Sequence, residues 1–286
     1  GIIQERYDVQ GAASALDASL SVLAYSLRIY YDFWAYSIIA IGLAKLFAIS
    51  LPRNFREPYL SRNPREFWRR WHVTLSYFLR DYVYIRLGGN QAYARNILFV
   101  FALCGLWHGA GWNFVLWGGL HGLLLSYEHL RRRRERLTDS VPAAPTRLFL
   151  RRVSTCLWLA ISFVFFRAES FSGALQVCRA LVGWTGSESL PVATYLGEGL
   201  RLSHAALWIG LGLAVAWGLP NTQQILGRFQ PVLDYRFRPG RATWAGRWLT
   251  RLQWRPHWAY ALASAGVFGI ALSAMSRAEE FLYFQF

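Results

Sequence analysis

The chain has 286 residues, of which 54% are hydrophobic, 17% aromatic and only 16% charged, where a soluble domain averages about 25% charged. The formal net charge is +15, and nearly all the basic residues are Arg. Apolar runs of roughly 17–20 residues, the length a helix needs to cross hydrocarbon, separate the basic stretches, so the charge reads as loops beside a membrane and excludes the continuous basic, soluble face that nucleic-acid binding requires.

The chain begins at Gly1 with no Met and no charged leader, which reads as an internal position of a longer protein. Residues 12–31 form a moderately apolar stretch interrupted by Asp17 and Arg28, either a span or the lining of a cavity. Residues 33–51 form a better span, with Lys45 placed to snorkel and Pro52 to stop it. Residues 53–95 differ in kind, mixing nine Arg with aromatic residues. Over residues 66–80, Phe67, Trp71, Leu75, Phe78 and Leu79 recur at helical intervals, which predicts an amphipathic helix at the membrane surface. Gly88-Gly89-Asn90 signals a turn.

Residues 96–130 carry no charge before Glu128. That is too long for one span and predicts two apolar segments around a break at Gly109-Ala110-Gly111. The basic block at residues 131–136 reads as a positive-inside stop-transfer signal, or as a site for anionic lipid. A short Pro-containing linker follows at residues 141–145. Residues 153–166 belong to another span, 167–201 to a non-cytoplasmic loop, 204–219 to a span, 228–255 to a cytoplasmic basic stretch and 258–276 to the last span. Nothing between the spans is long enough for a separate soluble domain. Residues 1–286 therefore read as a single membrane-embedded, all-α, polytopic domain.

Ionisable residues inside apolar segments cost about 3 kcal/mol or more to insert, and so concentrate at functional sites. His108 is the clearest case, deep in the longest apolar run within Cys104-Gly105-Leu106-Trp107-His108-Gly109-Ala110. Taken alone, a buried His is more often structural. His72 ends Phe67-Trp68-Arg69-Arg70-Trp71-His72, where it is either functional or an interfacial residue beside aromatic anchors. His121 follows His108 by thirteen residues. No two His residues have the spacing of a zinc site, and Cys104, Cys156 and Cys178 form no metal or disulfide pattern, so no metal and no bound cofactor are expected. Asp32 follows Tyr30-Tyr31 and serves to pair, cap or orient a substrate. No Gly-x-Ser-x-Gly elbow is present, and Ser37 and Ser76 have no activating arrangement, which favours base catalysis over a covalent serine mechanism.

These motifs carry a family resemblance. Pro58-Tyr59-Leu60-Ser61-Arg62, Glu66-Phe67-Trp68-Arg69-Arg70-Trp71-His72, Leu79-Arg80-Asp81-Tyr82 and Leu87-Gly88-Gly89-Asn90 resemble one signature of the membrane-bound O-acyltransferase family. Gly105-Leu106-Trp107-His108-Gly109-Ala110, with Trp112-Asn113-Phe114 and Trp117-Gly118, resembles its second. Phe165-Phe166-Arg167-Ala168 and residues 281–286 look like the bacterial alginate O-acetyltransferase branch. That branch has Asp-Phe-Ser-Gly-Tyr-Ser-Asp near its start, where this chain reads Asp32-Phe33-Trp34-Ala35-Tyr36-Ser37-Ile38.

The resemblance implies a polytopic enzyme that moves an acyl group, foremost acetyl, from acetyl-CoA or another acyl thioester toward hydroxyls of an exported polysaccharide. A periplasmic acetyltransferase partner would complete the transfer. It implies His108 as the active-site histidine, His72 as a second catalytic residue, and Asp32, Trp71, Trp107 and Asn113 as substrate-binding, with Asn113 donating to the acyl carbonyl. D-alanyl transfer toward teichoic acid and a non-catalytic acyl transporter or scaffold are the rival readings.

Overall fold

The computed structural model of the protein describes residues 15–134, 144–168, 170–184, 200–234 and 252–274. The linker at residues 141–143, the aromatic motif at 281–286 and the basic segment 235–251 lie outside the described residues, as does the side chain of Asp17. The described elements are helical throughout, with no strand among them. They fall into two compact units: Gly1–Tyr31 with Asn54–Trp217, and Asp32–Arg53 with Gly218–Phe286.

The first helix, α1 (Ala15–Leu46), runs unbroken for 32 residues. The sequence suggested two apolar segments meeting near Asp32. Between Ala15 and Leu46 there is no Pro, and one Asp at position 32 does not break a helix whose neighbouring residues favour it. The helix also ends well before Pro52. Ala48 adopts a left-handed conformation, φ 59°, and Ile49 N–H closes back on the Ala44 carbonyl at 2.9 Å, the cap that satisfies the last free carbonyls of a helix.

In the first unit, the basic aromatic stretch forms two short helices where one was expected: α2 (Pro64–Trp68) and α3 (Val73–Leu79). Asn63 caps α2 by accepting from Glu66 N–H, with Pro64 at the first position, a start that favours a helix on both counts. The intervening backbone bonds to a neighbouring loop: Arg56 N–H donates to the Arg70 carbonyl at 2.9 Å and Val73 N–H to the Asn54 carbonyl at 3.0 Å. Those long-range bonds outcompete continuation of the helix. A π-helical turn (Arg80–Tyr84) follows, and the chain reverses at Gly88 and Gly89, both at positive φ, where glycine has no steric cost.

Helices α4 (Tyr93–His108) and α5 (Trp112–Arg134) form an antiparallel pair broken at residues 109–111, as the uncharged run predicts. Their close approach depends on small residues. A Cβ on Gly105 would overlap the Phe114 carbonyl, and one on Gly118 the Phe101 carbonyl. Helix α6 (Pro145–Arg167) packs on α5. Val22 of α1, Ala160 and Val164 of α6, Ala168 and Ala174 form a buried core, the last in α7 (Phe171–Leu181). Tyr31 Oη donates to the Gly212 carbonyl at 2.7 Å, joining α1 to α8 (Leu200–Gly218).

The second unit holds the later half of α1, a short helix α9 (Thr222–Ile225) closed by an Asn221–Gln224 capping box, and α10 (Trp258–Ala274). Asp234 accepts from Arg53 N–H at 2.9 Å and from Arg53 Nε at 3.2 Å. Arg228 Nε donates to Gln253 at 2.7 Å.

Among the described helices, α6 is long and apolar enough to cross a membrane by itself, while residues 205–218 and 258–273 are apolar but shorter. Leu262, Val267, Phe268 and Ile270 of α10 are each more than 60% exposed, and Trp112 is 84% exposed. Outward-facing apolar side chains in such number suit lipid rather than water.

Candidate functional site

The α4–α5 break and the α2–α3 break meet in the first unit. His108 is the last residue of α4. His72 sits at the N-cap of α3 in the left-handed region, φ 42° and ψ 54°, which is costly for a non-glycine residue and tends to persist where function requires it. The Trp107 ring lies edge-on to both, with centroids 6.2 Å from His72 and 4.8 Å from His108. Trp117 and Phe166 also lie edge-on to His108, at 5.5 and 5.0 Å. The pair is thus brought together across 36 residues of sequence by two chain breaks.

Asn54 fixes the His72 ring. Its Oδ1 accepts from Thr74 N–H at 3.2 Å and from Thr74 Oγ1 at 2.9 Å, and lies 3.3 Å from His72 Nδ1. An amide oxygen only accepts, so Nδ1 carries the proton and Nε2 keeps its lone pair. Burial, and to a smaller extent the neighbouring His108, pulls the His72 imidazole down to about 3. The ring is therefore neutral at physiological pH.

Two of the remaining expected site residues, Trp71 and Asn113, also make structural contacts. Trp71 is buried in an aromatic cluster, stacked on Phe67 at 5.3 Å and edge-on to Phe55 at 5.0 Å. Asn113 Nδ2 donates to the Ala168 carbonyl at 2.5 Å, tying α5 to the end of α6. A contact from Asn113 to substrate would use its second N–H. Asp32 falls in the second unit.

His121 and Glu66, to which no motif assigns a role, both shape the site's surroundings. His121 is buried, and its Nδ1 accepts from Trp68 Nε1 at 3.1 Å. An indole only donates, so His121 is neutral with its proton on Nε2. Trp117 Nε1 and His121 Nε2 are buried with no acceptor among the described residues. Glu66 accepts from Arg62 N–H and Nε, both at 2.9 Å, and from Arg70 Nη2 at 2.7 Å. Burial raises its pKa, but these bonds and the charges of Arg70 and Arg62 outweigh that and leave it lowered. The Asn-Pro-x-Glu start of α2 was the available signal for Glu66. Among the described residues no three His, Cys, Asp or Glu side chains gather to hold a metal.

Residues 16–167 match the model of the MBOAT, membrane-bound O-acyltransferase, family. The chain is 40% identical over 188 residues to a peptidoglycan O-acetyltransferase of Helicobacter pylori, covering 63% of this chain and 34% of that protein. It is 41% identical over 196 residues to the "Probable alginate O-acetylase AlgI" of Azotobacter vinelandii, covering 63% and 38%. A teichoic acid D-alanyltransferase of Bacillus subtilis is 28% identical over 163 residues, covering 53% and 41%. The chain thus spans little more than a third of the length of the curated relatives it matches.

Proposed function

We propose, from the premise that this chain belongs to the membrane-bound O-acyltransferase family, that it carries the catalytic part of an enzyme transferring an acetyl group toward hydroxyls of an exported polysaccharide. The observation that supports this best is the convergence of His72 and His108 on Trp107, inside the matched residues. The relatives named for O-acetyl transfer, at 40 and 41% identity, favour acetyl over the D-alanyl group of the relative at 28%.

In this reading the donor is acetyl-CoA or another acyl thioester. A hydroxyl is a weak nucleophile at neutral pH. The His108 imidazole takes its proton as the oxygen bonds to the thioester carbonyl carbon. The C–S bond then breaks and the thiolate leaves with the electron pair. A positioned base of this kind contributes typically 10²–10⁴-fold. The rings of Trp107, Trp117 and Phe166 around His108 exclude water that would hydrolyse the thioester. His72, neutral with its lone pair on Nε2, adds a second acceptor beside the first. Substrate is held against Trp107 and Asn113, while Trp71 supports the His72 turn from the core.

The protein sits in this reading in the bacterial inner membrane with several passes, and a periplasmic acetyltransferase partner receives the group. Mass spectrometry of surface polysaccharide from a deletion strain tests the reading. Loss of O-acetyl ester, restored by the full-length gene, is the expected result. Loss of D-alanyl ester with acetate unchanged would favour the rival chemistry, and no change in any ester would overturn the reading; ester kept on His108→Ala with normal insertion would favour a non-catalytic transporter or scaffold.

A further inference from the structure

A cavity of about 360 Å³ opens among α2, α3, α4 and α5 of the first unit. Its deep wall is Val100, Phe101, Cys104 and Leu125, each less than 10% exposed. Neither His72 nor His108 lines it, so it is distinct from the acyl-transfer site. Its volume falls in the range of roughly 300–1,000 Å³ typical of small-ligand sites, room for a single acyl chain rather than a whole lipid.

The rim is basic. Arg65 and Arg69 stand one helical turn apart and are exposed, and no carboxylate among the described residues bonds either of them. Both act electrostatically on the Tyr93 hydroxyl. The Tyr93 ring stacks on His129 at 3.8 Å, and Arg133 and Arg65 act on His129 in turn. Three guanidinium groups therefore gather around one tyrosine–histidine stack. Glu128, the carboxylate that acts on Tyr93, is bridged to Arg131 at 3.1 Å and Arg132 at 3.9 Å. Arg80, also on the rim, is held by Asp81 at 2.7 Å. Positive charge at the mouth is left over after these pairings.

We propose that this cavity binds an anionic phospholipid, with one acyl chain against the apolar wall and the headgroup phosphate on Arg65 and Arg69. An apolar pocket under a basic rim matches an amphiphile with an acidic head. A free phosphate would leave the wall facing water, and a zwitterionic lipid would bring its own cation to the arginines. Basic clusters at a membrane surface attract anionic headgroups, and the guanidinium fork suits phosphate oxygens.

Native mass spectrometry of the full chain in mild detergent, with added dioleoyl phosphatidylglycerol or dioleoyl phosphatidylethanolamine at equal mole fraction, tests this. One phosphatidylglycerol is expected to be retained, with R65Q/R69Q lowering that retention about tenfold, the effect of roughly 1 kcal/mol lost at each Arg screened in part by salt. Ile97→Trp, which fills the cavity and leaves the arginines in place, is expected to lower it as well. Should Ile97→Trp fail to fold, R65Q/R69Q still decides, because its side chains are exposed. Equal retention of the two lipids, or retention unchanged in R65Q/R69Q, overturns the proposal. So does displacement of the lipid by inorganic phosphate, which would mark a headgroup-only anion site, or by coenzyme A, which would assign the cavity to the donor's path.

Discussion

Trp68 of α2 donates its indole N–H to Nδ1 of His121 on α5 across 3.1 Å, within a nest formed by Phe101, Trp117 and Trp158. The bond fixes the tautomer of a histidine buried to 1% exposure and pins the basic aromatic stretch to the α4–α5 pair. Trp68→Phe keeps the ring packing and removes the donor, leaving a buried acceptor unpaired. That costs about 1–3 kcal/mol, and a lowered melting temperature in detergent is expected. An unchanged melting temperature would show that the bond contributes nothing.

The α4–α5 contact gives a sharper steric prediction. Gly118→Ala would drive its methyl into the Phe101 carbonyl, whereas a Cβ at the adjacent Gly119 meets nothing within 4 Å. Overpacking of this kind costs about 1–3 kcal/mol. Gly119→Ala gains up to about 1 kcal/mol in helix propensity. Detergent-extracted yield and melting temperature should therefore fall for the first and hold or rise for the second. Equal behaviour of the two variants would contradict the close backbone approach.

The sequence pattern was legible where local rules governed. The break at Gly109-Ala110-Gly111 and the turn at Gly88-Gly89 follow from glycine placement and from an uncharged run too long for one helix. The division of residues 66–80 did not follow, because its cause is distant: Asn54 and Arg56 bond the backbone at Val73 and Arg70, and no local periodicity records a partner fourteen or more residues away. The same holds for the site. His108 stood out by its polarity in an apolar run, but its proximity to His72 depends on Trp107 and a left-handed turn at His72. Trp71, which shares a motif with His72, faces the core instead.

Acid sensitivity follows from His72. Its folded pKa, about 3, lies below the ordinary 6.5 because of burial and then the nearby His108. Between these values the unfolded chain binds a proton that the folded chain does not. The stability contribution is complete above about pH 6.5 and is lost as pH falls toward 3. The melting temperature of His72→Gln should therefore decline less than that of wild type over this window. Parallel declines would show that His72 titrates normally in the folded protein.

Topology follows from charge. By the positive-inside bias, the four Arg that end α5, residues 131–134, are expected to hold that end on the cytoplasmic side. A cysteine at Arg133, in a cysteine-free full-length protein, should resist a membrane-impermeant maleimide in intact spheroplasts and react after lysis. Labelling from outside would reverse the orientation of the α4–α5 pair.

In the proposed function His108 is the base for acyl transfer. The most direct test is the initial rate of acetyl transfer by membranes carrying full-length His108→Ala, normalised to inserted protein. The expected loss is typically 10²–10⁴-fold, with insertion and detergent-extracted yield close to wild type. A rate close to wild type in that variant would rule His108 out as the base.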